Sequence, residues 1–173
     1  FASGEVPVST GVVVMPVLLL AGVVLGYAVG PVFLACLGLY FVLTCAYSWV
    51  LKRLMLVDCL TLAVLYTLRI IAVAVRHVLS FWLLAFAVFL FLSLAFVKRY
   101  AELEIQLAGG DGKVHGRGYS TADAPLVQTM GIIAGYTSVL VLALYLNSEA
   151  VVKLYRSPVW IWGAIPVVLF WIS

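Results

Sequence analysis

Charge is scarce in this chain. Charged residues make up 10% of it against 66% hydrophobic residues, more apolar surface than a water-soluble domain of this size can hide. A soluble fold is thereby excluded. The formal net charge is only +3, too small to point to a nucleic-acid partner. Cysteine is sparse too. Cys36, Cys45 and Cys59 lie in apolar stretches without paired spacing, which excludes a disulfide framework and leaves buried thiols as the expectation. The two histidines, His77 and His115, fall on opposite sides of a membrane, and no His/Cys/Asp/Glu set has the spacing of a zinc site. There is no Ser/His/Asp arrangement, no carboxylate pair for a proton relay, and no DxxxD pair to hold magnesium on a diphosphate. Gly109-Gly110-Asp111-Gly112-Lys113 lacks the spacing and the preceding strand of a phosphate loop. No basic leader precedes the first apolar run, and no internal repeat is visible.

What the chain has is long apolar runs. Six stretches, 12–29, 32–49, 54–75, 81–97, 126–146 and 159–172, come near the roughly 20 residues that cross a bilayer. A backbone surrounded by lipid must satisfy its own hydrogen bonds, so the spans are helices. The expected fold is all-α, a polytopic transmembrane helical bundle forming one membrane domain over residues 1–173. The chain opens on Phe1, and its last apolar run ends at Trp171-Ile172-Ser173 without a basic flank, so it is expected to be a piece of a longer protein.

The links carry the orientation. Lys52, Arg53, Lys98, Arg99, Lys113 and Arg117 fall on one side, and Arg76, Lys153 and Arg156 on the other. The richer side is expected to be cytoplasmic, with a cytoplasmic loop over about 98–124. Gly30-Pro31 reads as a tight, uncharged turn. Gly22, Gly26 and Gly30 recur at four-residue intervals, and Gly131 and Gly135 repeat the spacing, so both sets predict close helix packing. Residues 98–107 are expected to continue the fourth helix out of the membrane. Ser120-Thr121-Ala122-Asp123 followed by Pro125 reads as the capped start of the fifth.

The charges inside or beside the spans are the candidates for function. Glu102 is four residues from Lys98 and three from Arg99, so it can meet either on a helix. These cations form either a phosphate grip held by Glu102 or a pair snorkelling at the membrane edge. Lys52 and Arg53 follow Tyr47 and Trp49, an aromatic-then-basic order typical of an interface. The third span carries Asp58 and Arg69 on one face, about 16 Å apart along the axis and too far for contact in a straight helix. Arg69 either occupies a cavity or snorkels outward beside Arg76. Several cations at one face suit a phosphate-bearing lipid.

These residues resemble a known family. Phe1-Ala2-Ser3-Gly4, Tyr47-Ser48-Trp49-Val50-Leu51-Lys52-Arg53, Asp58, and Leu65-Tyr66-Thr67-Leu68-Arg69 are similar to segments of the UbiA-type polyprenyltransferase superfamily. So are Ser80-Phe81-Trp82-Leu83, Lys98-Arg99-Tyr100-Ala101-Glu102-Leu103 and Arg117-Gly118-Tyr119. The likeness is nearest to the branch of decaprenyl-phosphate phosphoribosyltransferase. It implies about six spans of a nine-span helical bundle around a cavity, and phosphoribosyl transfer from phosphoribosyl diphosphate to a polyprenyl phosphate at the cytoplasmic face. It implies that Lys52 and Arg69 bind the donor's phosphates, and that Lys98, with Arg99 and Glu102 beside it, binds the polyprenyl phosphate. Magnesium is the implied cofactor, on aspartates that lie outside this chain. Val73 stands where the branch has glycine, and Arg76-His77 replaces smaller residues, changes that narrow the outer part of the implied cavity. Two alternatives stay open: prenyl transfer from a diphosphate to an aromatic acceptor such as 4-hydroxybenzoate, and a non-catalytic lipid-binding or transport bundle.

Overall fold

A computed structural model describes residues 8–74, 80–108, 121–148 and 158–172. Phe1-Ala2-Ser3-Gly4, Arg76, His77, the glycine-rich run at 109–113, His115, Arg117-Gly118-Tyr119, Lys153 and Arg156 lie outside the described residues. The described chain is helical without a strand. The helices are α1 (Val8–Val29), α2 (Pro31–Trp49), α3 (Met55–Val73), α4 (Phe81–Ala108), α5 (Ala124–Leu146) and α6 (Ala164–Ile172). Short 3-10 segments stand at Leu51–Arg53, Thr121–Asp123 and Pro158–Gly163.

Five of these helices are long and apolar enough to cross a membrane. The sixth expected span differs: it is divided into a 3-10 segment and a nine-residue α-helix. That helix rises about 14 Å, roughly half of a hydrocarbon core. By contrast α4 runs unbroken for 28 residues through Lys98 and Glu102, as expected. It is about 42 Å long, which takes its last turns beyond the apolar layer.

Gly30 alone separates α1 from α2. Its φ of 143° lies in the region that favours glycine, and Pro31 then supplies the fixed φ of a first helical turn. Every extensive helix–helix contact joins sequence neighbours, from α1 on α2 through to α5 on α6. The described helices therefore form a serpentine row, and no closed nine-span bundle is formed among them. The row leaves most of α1 and much of α2 exposed with apolar side chains outward, the arrangement a lipid surround allows.

The tightest junction is α4 on α5. Gly131 explains it: a Cβ there would stand 3.2 Å from the Cβ of Phe96. Ser93 Oγ donates to the Gly131 carbonyl at 2.8 Å across the same seam. At Gly135 an added Cβ would meet Ile172 of α6 at 2.7 Å and Ser93 Oγ at 3.0 Å. Small residues in membrane helices admit this approach. The ridge expected on α1 is narrower than its spacing predicts. Gly26 faces Leu34 and Leu37, whereas Gly22 and Gly30 have nothing within 4 Å. Two further expectations change. Asp123 holds the N-cap position of α5 without a side-chain capping bond, since its φ and ψ are already helical. Of the thiols, Cys59 is buried, but Cys36 and Cys45 are only partly so, because α2 has no fully buried face.

Candidate functional site

Four of the seven predicted site residues meet at one buried point, and Arg99 is its centre. Arg99 is 2% exposed and Asp58 0%. Arg99 sits well along α4, Asp58 at the start of α3, and Tyr47 near the end of α2. Arg99 Nη2 donates to Asp58 Oδ1 at 3.1 Å and to Tyr47 Oη at 2.8 Å. Arg99 Nη1 donates to both Glu102 oxygens, at 2.9 and 2.7 Å. Nε stands 2.5 Å from Asp58 Oδ2, an ion-pair approach off the axis of a hydrogen bond. A planar guanidinium with forked donors suits such multiple recognition.

The local sequence produces this geometry. Arg99 and Glu102 are three apart and share a helix face. Leu103, fully buried one turn beyond Arg99, packs with Cys59 and Phe96 and draws this face of α4 onto α3. Cys59 follows Asp58 directly, so the carboxylate is buried along with the thiol. A buried arginine with one carboxylate would leave more donors unmet, and Tyr47 and Glu102 supply acceptors for Nη2 and Nη1. Replacing Tyr47 by phenylalanine removes one acceptor while Arg99 Nη2 keeps Asp58. It is expected to cost about 1 kcal/mol, read as a lower thermal midpoint in detergent with helix content unchanged.

The other three predicted residues are placed differently. Lys52 lies half-buried in the turn between α2 and α3, and Lys98 is exposed on α4 beside Arg99. Neither forms an ion pair among the described residues, and the same holds for exposed Arg53. Glu102 thus takes Arg99 rather than Lys98. Lys52, Arg53 and Lys98 stand by chain position at the end of the row where the Arg99 cluster lies.

Arg69 is away from that end. Its Nη2 donates to Tyr40 Oη, and its guanidinium carbon lies 5.1 Å from the Tyr40 ring centre and 5.3 Å from that of Tyr66. Tyr66 stacks on Phe91 of α4 at 5.2 Å. Tyr66 is one turn before Arg69, and Tyr40 is the middle residue of α2. The side chain therefore turns back toward the start of α3 and does not reach outward past its end, as helix side-chain direction favours. Tyr40 was not among the predicted site residues. A signal for it was present: Phe33, Tyr40 and Tyr47 are seven apart and line one face of α2. Neither the cavity between α4, α5 and α6 nor the one between α2 and α3 is lined by Lys52 or Lys98. Among the described residues no group of three or more His, Cys, Asp or Glu can hold a metal ion. Asp58, the carboxylate nearest the cationic turn in sequence, is engaged by Arg99. The described residues therefore do not fit a magnesium site.

Two relatives align along nearly all of this chain. An uncharacterized protein, y4nM of Sinorhizobium fredii, is 33% identical over 175 residues, which cover 99% of this chain and 34% of that protein. Nodulation protein NoeC of Azorhizobium caulinodans is 32% identical over 176 residues, covering 100% of this chain and 57% of that protein. The chain thus spans about a third of one curated relative and somewhat over half of the other. No protein-family profile matches it, and no solved structure does.

Proposed function

We propose that this chain is part of a membrane-embedded transferase of the UbiA type that moves a phosphoribosyl group from phosphoribosyl diphosphate to a polyprenyl phosphate. The observation that carries the reading is the division of labour among the cations. Arg99 is engaged by Asp58, Glu102 and Tyr47 and ties α4 to the end of α2 and the start of α3. Lys52, Arg53 and Lys98 stand at that same end without a carboxylate among the described residues. Cations left unpaired beside a rigid ionic knot suit anionic groups brought by substrates. The site lies on the cytoplasmic face, in keeping with the basic bias of the loops.

In the reaction a lipid phosphate oxygen bonds to the anomeric carbon as the bond to diphosphate breaks, and the diphosphate leaves with the electron pair. This chain's part is to bind and orient the anions and to balance the charge that develops on the leaving group. A magnesium site for this reaction would be supplied from outside the described residues. From the Azorhizobium relative we carry over only a part in nodulation.

The test feeds labelled phosphoribosyl diphosphate to membranes containing the full-length protein, with Lys52→Ala and Lys98→Ala beside the wild type. Labelled polyprenyl product is expected, reduced about 100-fold in each variant, the scale of losing one electrostatic stabiliser. Full activity in both variants would overturn the assignment. Label passing instead from a prenyl diphosphate to an aromatic acceptor would replace it with prenyl transfer, and no turnover with either donor would leave a lipid-binding bundle.

A further inference from the structure

One charge stands where a lipid surround does not admit it. Helix α2 has 19 residues, with Tyr40 in the middle, and at about 28 Å it matches the hydrocarbon core. Arg69 donates to Tyr40 Oη, so its guanidinium lies near the mid-plane of the membrane. It is exposed there and makes no ion pair among the described residues. The rings of Tyr40 and Tyr66, at 5.1 and 5.3 Å, hold the group in place without neutralising it. Tyr66 is itself stacked on Phe91 of α4, which anchors the arginine at this depth. An arginine keeps its charge, and inside a membrane it faces a bundle interior and takes a partner.

The cavity of about 250 Å³ between α2 and α3 does not supply that partner. Its wall is almost wholly apolar, from Phe33 and Leu37 on α2 to Leu68 and Val73 on α3, and the charge of Arg69 does not open into it. Whatever covers this face must therefore bring apolar side chains for the groove and an anion at mid-membrane depth. Lipid brings the first, but its phosphates stand roughly 15 Å away at the membrane surface. A water-soluble anion needs a polar path, which this groove does not offer. A second copy of residues 1–173 has no carboxylate at that depth. Of its seven acidic residues, Asp58, Glu102, Glu104 and Asp123 stand toward the helix ends on the Lys52 and Lys98 side, and Glu5, Asp111 and Glu149 fall outside the apolar stretches. The source that remains is further protein: the chain spans about a third of one relative and somewhat over half of the other.

We propose that in the full-length protein the α2–α3 face bearing Arg69 is covered by a further membrane-spanning helix from outside residues 1–173. A mid-span aspartate or glutamate of that helix pairs with Arg69, and its apolar side chains fill the groove between Phe33 and Val73. The proposal does not rest on the transferase reading.

Photocross-linking of the full-length protein in its native membrane identifies the cover. Val73 borders the groove and is 79% exposed, so p-benzoylphenylalanine in its place can reach whatever lies there. The expected product joins this position to an apolar segment outside residues 1–173 that holds an aspartate or glutamate. A double-mutant cycle then combines Arg69→Met with the amide variant of that carboxylate. Each single variant is expected to lower the thermal midpoint in detergent by about 5 °C or more, and the double variant by less than the two together. Arg69→Lys keeps the charge and is expected to lose less than Arg69→Met, which carries the comparison if the methionine variant does not fold. Cross-links to lipid alone, to residues 1–173 of a second copy, or to a segment without a carboxylate would overturn the proposal. So would additive single variants. Loss of phosphoribosyl diphosphate binding in Arg69→Met at an unchanged midpoint would also overturn it and return Arg69 to the donor.

Discussion

Replacing Asp58 by alanine is expected to cost about 3–5 kcal/mol, the largest effect of any single substitution in the described chain. The reason is the asymmetry between removing an ion pair and removing one half of it. With both partners present, Arg99 is enclosed by Asp58, Glu102 and Tyr47 at 2% exposure. Without Asp58 the guanidinium keeps only half-exposed Glu102 and Tyr47, while Nε and part of Nη2 lose the carboxylate they face in a buried place. The Arg99→Met variant is expected to cost less than Asp58→Ala, since methionine keeps much of the volume that Arg99 fills, whereas Asp58→Ala leaves a guanidinium that does not lose its charge. The double variant Asp58→Ala with Arg99→Met should recover part of the loss, because the uncompensated charge is gone. Thermal unfolding in detergent micelles across the full double-mutant cycle measures this coupling. A coupling near zero would show that Asp58 and Arg99 do not support one another.

Gly131→Val is the second large effect, expected to cost about 1–3 kcal/mol through overpacking. Its Cβ would stand 3.2 Å from the Cβ of Phe96, an atom bonded directly to the backbone of α4. That atom cannot swing aside as a side-chain tip does, so α4 and α5 must separate. Separation also stretches the 2.8 Å bond from Ser93 to the Gly131 carbonyl. Gly22→Val is the paired control: nothing stands within 4 Å of its added Cβ, and the variant should unfold within about 0.5 kcal/mol of wild type. Equal midpoints for the two variants would remove the close α4–α5 seam from the account of stability.

Much of the fold was legible because lipid simplifies the code. Helices α1 to α5 follow from apolar length, and the extension of α4 through Lys98-Arg99 follows from the mixed polar run that continues its helical period. The internal form of the sixth stretch was not legible, because apolar length alone does not say where a helix begins: Pro158 and Gly163 bound a 3-10 segment, and α-helix starts only at Ala164. The site was legible in part. The spacing of Arg99 and Glu102 is local and was read from the sequence. The partnership of Asp58 with Arg99 is not local, and the intramembrane carboxylate signalled only that some partner must exist. The position of Arg69 also needed the fold. Sequence left it either in a cavity or turned outward, and the choice is made by Tyr40, a residue of another helix. Where the glycines of α1 pack was likewise beyond spacing alone, since equal intervals at Gly22, Gly26 and Gly30 give contact only at Gly26.

The serpentine order has a consequence for biosynthesis. Each helix touches the one made just before it, so α1 and α2 can pair while the ribosome is still working on α3, with little chain entropy to overcome. Among the paired charges the wait is longest for Asp58. Its counter-ion is 41 residues downstream, so the carboxylate reaches the translocon well before the arginine that will neutralise it. During that interval α3 carries an uncompensated acid at its leading edge, and the delay ends only when α4 is made and folds back on α3.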